Sequence, residues 1–280
     1  MKQKLPDIQI PVTIGGVTFK NPFYVASGPT TKSVRQLVEI ERTGWAAASI
    51  KLSIDPAPYI NRKPRYGIFK DRDALAFTTE KRLTFAEGLK LAQPDKKILV
   101  FTGDGDCLAI GGNHLMHAAA RNIDLTVVMV NNYIYGMTGG QKSPATPKGS
   151  VTKTSPFGSI DEPIDGCKLV SALGASYVAR WTTAHPVQLA KSIAEGMEHK
   201  GFSFIEVLSQ CPVQAGKSVF GEKDPAAIMK RYKEGTYLYK EGGEPVEGKI
   251  PIGVFKHDTN AEEYIERVER RLRDQGIERG

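Results

Sequence analysis

Two apolar runs, with a helical pattern between them, occupy residues 97–132, which read KILVFTGDGDCLAIGGNHLMHAAARNIDLTVVMVNN. Residues 97–102 and 125–130 are predicted to be strands buried on both faces, because neither run shows the polar alternation of a half-exposed strand. Residues 109–121 are predicted to form the helix between them. A strand, a helix and a second strand in this order predict one β–α–β step of a parallel sheet.

The same alternation extends through most of the chain and predicts the α/β class, with a doubly wound parallel sheet. Further strands are predicted at residues 23–26, 46–54, 177–181 and 202–208, and further helices at residues 33–44, 83–91, 163–173, 186–200 and 260–274. Proline-rich residues 55–66 and glycine-, serine- and threonine-rich residues 135–163 are predicted to be loops. Because a loop as long as 135–163 is uncommon in a compact domain, we expect it to be functional.

The composition is that of an ordinary globular protein. Of the 280 residues, 40% are hydrophobic and 25% are charged, which argues against wholesale disorder. The chain has no apolar run of the roughly 20 residues that a membrane span needs, and its start, MKQKLPDIQIPV, lacks the apolar core of a secretory signal. The three cysteines, Cys107, Cys167 and Cys211, are too scattered for a disulfide framework. We therefore expect a protein of the reducing cytoplasm that has no membrane partner.

The net charge of +7 is unevenly distributed along the chain. Residues 1–93 hold 15 Lys and Arg against 8 Asp and Glu, whereas residues 94–280 hold 23 of each class. A diffuse excess without a nucleic-acid-binding motif is typical of a solvated surface, so we expect no nucleic-acid partner.

Polar side chains follow both strands of the first unit at the points where the strands end. The sequence GDGD (103–106) follows one strand, and Asn131-Asn132 ends the next. Open α/β sheets bind ligands at the carboxyl ends of their strands, so we expect Asp104 and Asn132 to lie close together there. Their oxygens, with a main-chain carbonyl, suit Mg²⁺ that bridges to phosphate, and the glycines let a diphosphate approach the backbone near a helix N-terminus. The alternative, which a bare GDG would favour, is a strand-end turn with acidic caps.

A GDG sequence followed one β–α–β step later by an asparagine pair resembles the motif of thiamine diphosphate enzymes. The run GDGDCLAIGGNHLMHAAARNIDLTVVMVNNYIYGMTGGQKSPATP closely resembles the β subunit of 2-oxoacid:ferredoxin oxidoreductases, in particular the 2-oxoglutarate type. The resemblance continues through GASYVARWTTAHPVQL, HKGFSFIEVLSQCP and GKIPIGVF and covers about residues 83–255.

This resemblance implies a specific set of cofactor residues. Mg²⁺ would be held by Asp104, Asn132 and the carbonyl of Ile134. The diphosphate would be lined by Gly103, Gly105, Asp106, Gly136, Met137 and Thr138, with residues 138–141 forming a loop over the cofactor.

The resemblance also implies a reaction and a set of partners. The reaction is oxidative decarboxylation of a 2-oxoacid to its acyl-CoA, with electrons passed to ferredoxin. An α subunit is implied to supply the glutamate that activates the cofactor. We therefore do not expect this chain to be active alone, and its own catalytic residues are left unassigned.

The chain departs from the family pattern in its cysteines. Family β subunits open with a C-P-G-C-G segment and carry a further cysteine before the GDG motif, which together with the cysteine of S-Q-C-P hold a [4Fe–4S] cluster. Only the last is present here, as Cys211, and no cysteine precedes Cys107. Because one thiolate cannot hold four irons, we expect the family's cluster to be missing from this chain.

Residues 8–90 carry a second resemblance. NPFYVASGPTTKSVRQLVEIERTGWAAASIKLSI is similar to the opening of dihydroorotate and dihydropyrimidine dehydrogenases, which are FMN-binding (β/α)₈ barrels. The implied flavin contacts are Ala26, Ser27, Gly28 and Lys51. A complete barrel needs roughly 250 residues, so no working FMN site is expected and Lys51 is interpreted as a relic or a surface lysine.

The two resemblances together predict a hybrid chain that joins near residues 84–92. Residues 1–85 are predicted to be an incomplete barrel-like fragment, residues 86–215 a thiamine diphosphate-binding domain, and residues 216–280 a C-terminal extension. A flavin-dependent dehydrogenase and an inactive hybrid are the competing hypotheses.

Several other side chains have two open interpretations. Lys142, in the long loop, is a candidate counter-charge for the distal carboxylate of a substrate, or a solvated loop lysine. His114 and His117 are interpreted as packing or subunit-interface residues rather than cofactor contacts. Tyr177 and Trp181 are expected in the core, and His185-Pro186 is expected to begin a helix.

Overall fold

The two strands of the motif are neighbours in one eight-stranded sheet of the computed structural model. The structure describes strand segments 12–14, 17–19, 24–25, 47–48, 69–71 and 74–77 and the continuous stretch 82–277, with side chains from residue 86 onward. The chain divides into two compact units, Met1–Lys63 and Pro64–Gly280.

The first unit contains two small strand pairs. β1 (Val12–Ile14) and β2 (Val17–Phe19) pair antiparallel, and β3 (Tyr24–Val25) and β4 (Ala47–Ala48) pair parallel. β3 and β4 fall within the predicted strands at 23–26 and 46–54. The predicted helix at 33–44, the loop at 55–66 and the flavin contacts Ala26, Ser27, Gly28 and Lys51 lie outside the described residues.

The second unit contains the large sheet and the helices that cover it. Its strands are β5 (Phe69–Asp71), β6 (Ala74–Phe77), β7 (Lys97–Gly103), β8 (Thr126–Asn131), β11 (Tyr177–Thr182), β12 (Ser203–Leu208), β13 (Thr236–Leu238) and β14 (Ile250–His257). A separate short pair is β9 (Ile134–Tyr135) with β10 (Gln141–Lys142). Its helices are α1 (Arg82–Ala92), α2 (Gly112–Arg121), α3 (Gly166–Leu173), α4 (Pro186–Glu198), α5 (Pro225–Glu234) and α6 (Tyr264–Asp274).

The sheet has the strand order β13-β14-β11-β12-β8-β7-β6-β5. The five strands from β11 to β6 are parallel, as predicted, whereas β14 runs antiparallel to β11 and β5 runs antiparallel to β6. The sheet is therefore mixed at its edges rather than wholly parallel. The antiparallel pairing of β5 with β6 follows from the length of their connection. Only two residues separate these strands, and so short a connection can join neighbouring strands only as a hairpin.

Both faces of the sheet are covered, as a doubly wound fold requires. Val127 and Met129 of β8 belong to a core cluster with α1, α2 and α3, whereas Val128 belongs to a second cluster with side chains of α4. Neighbouring residues of a strand point to opposite faces, so each helix layer receives alternate side chains. Tyr177 and Trp181 are buried in the second cluster, which confirms their prediction as core residues.

Two predicted helices begin differently in the structure. The predicted helix at 109–121 is a π-helical turn, Asp106–Ile110, followed by α2. α3 begins at Gly166 rather than residue 163, because the Asp165 side chain accepts a hydrogen bond from the backbone N–H of Lys168 and caps the helix there. α4 begins at Pro186, next to His185, as expected.

The boundaries of the units also differ from the prediction. The units divide between Lys63 and Pro64, not after residue 85, because β6 pairs with β7 and so belongs to the large sheet. The predicted C-terminal extension contributes β14, which lies beside β11 within the same sheet. No helix in the described part of the chain is both long and apolar enough to cross a membrane.

Candidate functional site

The carboxyl ends of β7 and β8 bring together the two halves of the GDGD and Asn-Asn motif. Gly103 and Val130 are paired in the strand register, so the residues that follow them leave the sheet side by side. The backbone N–H of Asn132 lies close enough to the Asp104 carboxylate to lower its pKa. The structure thus places Asp104 and Asn132 next to each other, at the edge where open α/β sheets bind ligands.

Asp104 is a buried carboxylate, with 2% of its surface exposed. Burial raises its pKa to about 6, although Ser143 and the backbone N–H groups of Asp104, Asn132 and Gly105 act in the opposite direction by hydrogen bonding. A buried anion of this kind is stabilised when a cation binds beside it. The donors at this edge are carboxylate, carboxamide and carbonyl oxygens, the ligand types that Mg²⁺ prefers, so the residues fit a magnesium ion.

The turn that follows β8 carries the other two candidate metal ligands. Tyr133 adopts a left-handed conformation, with φ of 66°, and its N–H donates to the Asn131 side-chain oxygen at 3.0 Å. The Asn132 side-chain oxygen accepts a hydrogen bond from the N–H of Ile134 at 3.2 Å. Two consecutive side-chain-to-backbone bonds therefore fix a turn that a tyrosine adopts only at an energetic cost.

Two hydroxyl residues of the long loop contact both halves of this site. Ser143 donates a hydrogen bond to the Asp104 carboxylate, and Thr146 donates to the Tyr133 carbonyl at 2.5 Å. Neither residue belongs to the predicted cofactor set. The sequence feature that indicates them is the segment SPATP (143–147), which contains two hydroxyl residues. It lies in a loop whose length already predicts a function.

The glycines of the site have different surroundings. A Cβ atom added at Gly103 or Gly136 would have no atom within 4 Å, which leaves open space beside the backbone for a ligand. At Gly105, a Cβ would lie 2.2 Å from a ring carbon of Tyr135, whose hydroxyl donates to the Gly105 carbonyl at 2.9 Å. Close packing of the Tyr135 ring therefore requires glycine at position 105.

The predicted cofactor loop at 138–141 is a hydrogen-bonded turn that is exposed at Thr138 and buried at Gly140. Gly139 and Gly140 both have positive φ, 106° and 103°, and their N–H groups donate to the carbonyls of Gly136 and Tyr135. The Thr138 hydroxyl donates to the Gln141 side chain at 2.6 Å. Met137 is 72% exposed, so its side chain is free to contact a ligand or another subunit.

Asp106 begins the π-helical turn Asp106–Ile110, directly after the glycines. Such turns are rare and occur often at functional sites. Cys107, in the same turn, is buried, and desolvation raises the pKa of its thiol far above the usual range. Cys107 is therefore a packing residue rather than a reactive thiolate.

A buried ionic network lies directly beneath the Asn131 turn. Arg180 donates to Glu206 and to Asp165, both at 2.6 Å, and Asn131 donates to Glu206 at 2.7 Å. This network is not among the predicted sites, although an arginine and a glutamate inside two apolar strand patterns indicate it. Cys167 also contacts Glu206, but the Arg180 guanidinium already donates to both carboxylates of this group, so we interpret it as an ion-pair network rather than a metal centre.

The remaining candidate residues lie near the site or away from it. Lys142 forms an ion pair with Asp161 within the long loop. Cys211 is half-buried after β12, and its carbonyl accepts a hydrogen bond from Gly216 at 2.7 Å. His114 is half-buried and His117 exposed on α2, which leaves both of their interpretations open.

The chain is similar to known proteins over most of its length. Residues 53–207, more than half of the chain, match the family described as "Thiamine pyrophosphate enzyme, C-terminal TPP binding domain". The 2-oxoglutarate synthase subunit KorB of Methanocaldococcus jannaschii is 48% identical, over 78% of this chain and 83% of that protein. The KorB subunit of Methanothermobacter marburgensis is 51% identical, over 70% of each chain.

The chain is also similar to solved structures, one of which is informative here. That structure is the 2-oxoglutarate:ferredoxin oxidoreductase from Magnetococcus marinus, with 2-oxoglutarate, coenzyme A and succinyl-CoA bound. It is 28% identical with a TM-score of 0.62, over 72% of this chain and 70% of that one. These matches do not support the resemblance of residues 8–90 to dihydroorotate dehydrogenases, and the family match begins at residue 53, before the predicted junction at 84–92.

Proposed function

The chain belongs to the thiamine pyrophosphate-binding β subunits of 2-oxoacid:ferredoxin oxidoreductases, and we propose that it serves the oxidative decarboxylation of 2-oxoglutarate to its acyl-CoA. The observation that carries the proposal is the buried Asp104 carboxylate, which lies beside Asn132 at the carboxyl ends of two parallel strands. The flavin-dependent dehydrogenase is not favoured by the same comparisons.

We assign the cofactor contacts residue by residue. Mg²⁺ would be held by Asp104, Asn132 and the carbonyl of Ile134. The diphosphate would be lined by Gly103, Gly105, Asp106, Gly136, Met137 and Thr138. When bound, thiamine diphosphate would supply the electron sink for loss of carbon dioxide; this chain would orient its diphosphate end, and the Mg²⁺ held by its residues would neutralise the charge.

The partners follow from the type of subunit. An α subunit would supply the activating glutamate and cover the exposed side of the cofactor. The exposed side chains of Ile110, just after the GDGD turn, and of Met137, just after the Asn131-Asn132 pair, support such a contact. Ferredoxin, coenzyme A and the 2-oxoacid would be the other partners, and the compartment would be the cytoplasm.

The electron-transfer half of the reaction would be impaired. Cys211 alone corresponds to a cluster ligand, and Cys107 and Cys167 are buried with raised thiol pKa values. We therefore propose that a [4Fe–4S] cluster on this chain does not assemble and that any route to ferredoxin passes through another subunit.

The cofactor assignment is tested by calorimetry of thiamine diphosphate binding to the full chain with and without Mg²⁺. Asp104→Asn keeps the shape of the side chain but removes its charge, and we expect binding to weaken by at least about 2 kcal/mol, roughly 30-fold. Asp124→Asn is the matched control. Asp124 forms an ion pair with Lys90 at 2.6 Å and lies just before the amino end of β8, whereas the site lies at the carboxyl end of that strand. Equal binding by the wild type and Asp104→Asn would refute the assignment.

A further inference from the structure

The segment 143–146 of the long loop contacts both halves of the proposed metal site. Ser143 and Thr146 are almost completely buried, with 1% and 2% of their surfaces exposed. The Pro144 carbonyl accepts a hydrogen bond from Ile164 at 2.8 Å, which ties this segment to the far end of the same loop. Prolines 144 and 147 restrict the backbone around it.

The first contact is with the carboxylate. The Ser143 hydroxyl donates to Asp104 Oδ2 and accepts a hydrogen bond from the N–H of Ala145 at 3.3 Å. The hydroxyl is therefore oriented by its own segment, with its proton directed at the carboxylate. A donor of this kind fixes the plane of a ligating carboxylate, a function that outer-shell partners of metal ligands commonly have.

The second contact is with the turn that carries the other ligands. The Thr146 hydroxyl donates to the Tyr133 carbonyl at 2.5 Å and accepts from the N–H of Ser143 at 2.9 Å. Tyr133 lies between Asn132 and Ile134 and has the positive φ of 66°. Thr146 thus stabilises the strained residue between the two proposed ligands, and its bond to Ser143 couples the turn to Asp104.

We infer that Ser143 and Thr146 are positioning residues that hold the Asp104 carboxylate and the Asn132–Ile134 turn in the arrangement that binds Mg²⁺. The inference rests on the proposed function. Both hydroxyls bond to a ligand residue or to the turn between two ligands, rather than to a distant helix or strand. Removal of either hydroxyl loosens one half of the site relative to the other.

Thr146→Val and Thr146→Ser form a matched pair, because valine keeps the shape of threonine without the hydroxyl and serine keeps the hydroxyl. Ser143→Ala tests the other contact. Thr126→Val is the control, because the buried Thr126 hydroxyl donates to the Gly196 carbonyl at 2.9 Å at the amino end of β8, away from the site.

The measurement is the Mg²⁺ concentration that half-saturates thiamine diphosphate binding to each full-length variant, with its thermal unfolding midpoint recorded in parallel. We expect this concentration to rise 10- to 100-fold in Thr146→Val and Ser143→Ala and to stay within about 3-fold of wild type in Thr146→Ser. Thr126→Val is expected to unfold at a lower temperature while its Mg²⁺ requirement stays at the wild-type value.

Two outcomes would overturn the inference and are distinguishable. If the wild type shows no Mg²⁺-dependent binding, the proposed function fails and the inference fails with it. If the wild type binds normally and Thr146→Val and Ser143→Ala have the Mg²⁺ requirement of Thr126→Val, the proposed function stands and the positioning role is refuted.

Discussion

Arg180 and Glu206 face each other across the adjacent strands β11 and β12, and the Arg180 Nε atom donates to the Glu206 carboxylate at 2.6 Å. Both residues are buried, with 6% and 2% of their surfaces exposed. The other oxygen of the Glu206 carboxylate accepts from Asn131, whose own oxygen accepts from the N–H of Tyr133. The ion pair therefore supports the turn that carries the proposed metal ligands.

Breaking this ion pair from one side is expected to destabilise the fold strongly. Arg180→Leu leaves the Glu206 carboxylate buried without its cation, which costs about 3–5 kcal/mol of unfolding free energy. Urea denaturation measures the change. Lys191→Ala, which removes the exposed ion pair with Glu195, is the control and is expected to change stability by less than about 1 kcal/mol. A similar loss in both variants would contradict the prediction.

His199 is expected to make stability depend on pH. Burial lowers its pKa, with His257 and Lys97 acting in the same direction and Asp124 and Asp258 in the opposite one. The unfolded chain therefore binds the proton more tightly, and the free energy of unfolding falls as the pH drops through the ordinary histidine value of about 6.5.

Urea denaturation of the wild type and His199→Gln between pH 8 and 5 tests this sign. The stability difference between the two proteins is expected to be largest at the alkaline end and to shrink toward acid, as the wild type loses the contribution of its neutral imidazole. His117→Gln, at an exposed position on α2, is the control. A difference that is constant with pH would show that His199 does not titrate in this way.

The two glycines of the GDGD turn are expected to respond differently to alanine. Gly105→Ala places a methyl group 2.2 Å from the Tyr135 ring, so it should lower the unfolding temperature, and a second change, Tyr135→Ala, should recover part of the loss. Gly103→Ala meets no neighbour within 4 Å and should leave stability nearly unchanged while weakening thiamine diphosphate binding. Equal thermal destabilisation by both changes would contradict this expectation.

The centre of the fold is predictable from the sequence because its signals are local. Apolar runs define β7, β8, β11 and β12, and the polar residues at their ends identify the candidate site. The short strands β5, β6 and β13, at or next to the edges of the sheet, escape prediction, because segments of three or four residues are formed by pairing with a neighbour rather than by their own pattern.

The supporting contacts of the site are not predictable in the same way. Ser143 and Asp104 are 39 positions apart, and Asn131 and Glu206 are 75 positions apart. Such residues come into contact only when the sheet and the loop have folded. No periodic pattern within a short stretch of sequence predicts these contacts. The π-helical turn Asp106–Ile110 is not predicted, because its last two residues already fit the helical pattern that begins at residue 109 and its first three carry no pattern of their own.

Lys142 can be tested as the counter-charge of a substrate carboxylate. If it has this role, Lys142→Gln raises the KM for 2-oxoglutarate of the complex with an α subunit but leaves the KM for a 2-oxoacid without a distal carboxylate unchanged. Lys148→Gln is the matched control, because Lys148 forms an ion pair with Glu162 in the same loop, just as Lys142 does with Asp161. Equal changes in the KM of both substrates would show that Lys142 does not bind the distal carboxylate and has only a structural role in the loop.

The cysteine content predicts a separation between decarboxylation and electron transfer. Among the three cysteines, only the half-buried Cys211 corresponds to a cluster ligand, so anaerobic reconstitution is expected to leave well under one [4Fe–4S] cluster per chain. Iron and sulfide analysis, with the visible absorbance of the cluster, measures this directly. A full cluster that is lost in Cys211→Ser would contradict the prediction.

Under the proposed function, decarboxylation would require the cofactor, Mg²⁺ and α-subunit groups, whereas ferredoxin reduction would also require a path for single electrons. The complex with an α subunit is therefore expected to release carbon dioxide slowly from labelled 2-oxoglutarate while it fails to reduce ferredoxin. If ferredoxin is reduced at a rate that Cys211→Ser leaves unchanged, the electrons leave through a cluster on a partner subunit. That outcome would confine this chain to cofactor binding, because Cys211 would then lie outside the electron path.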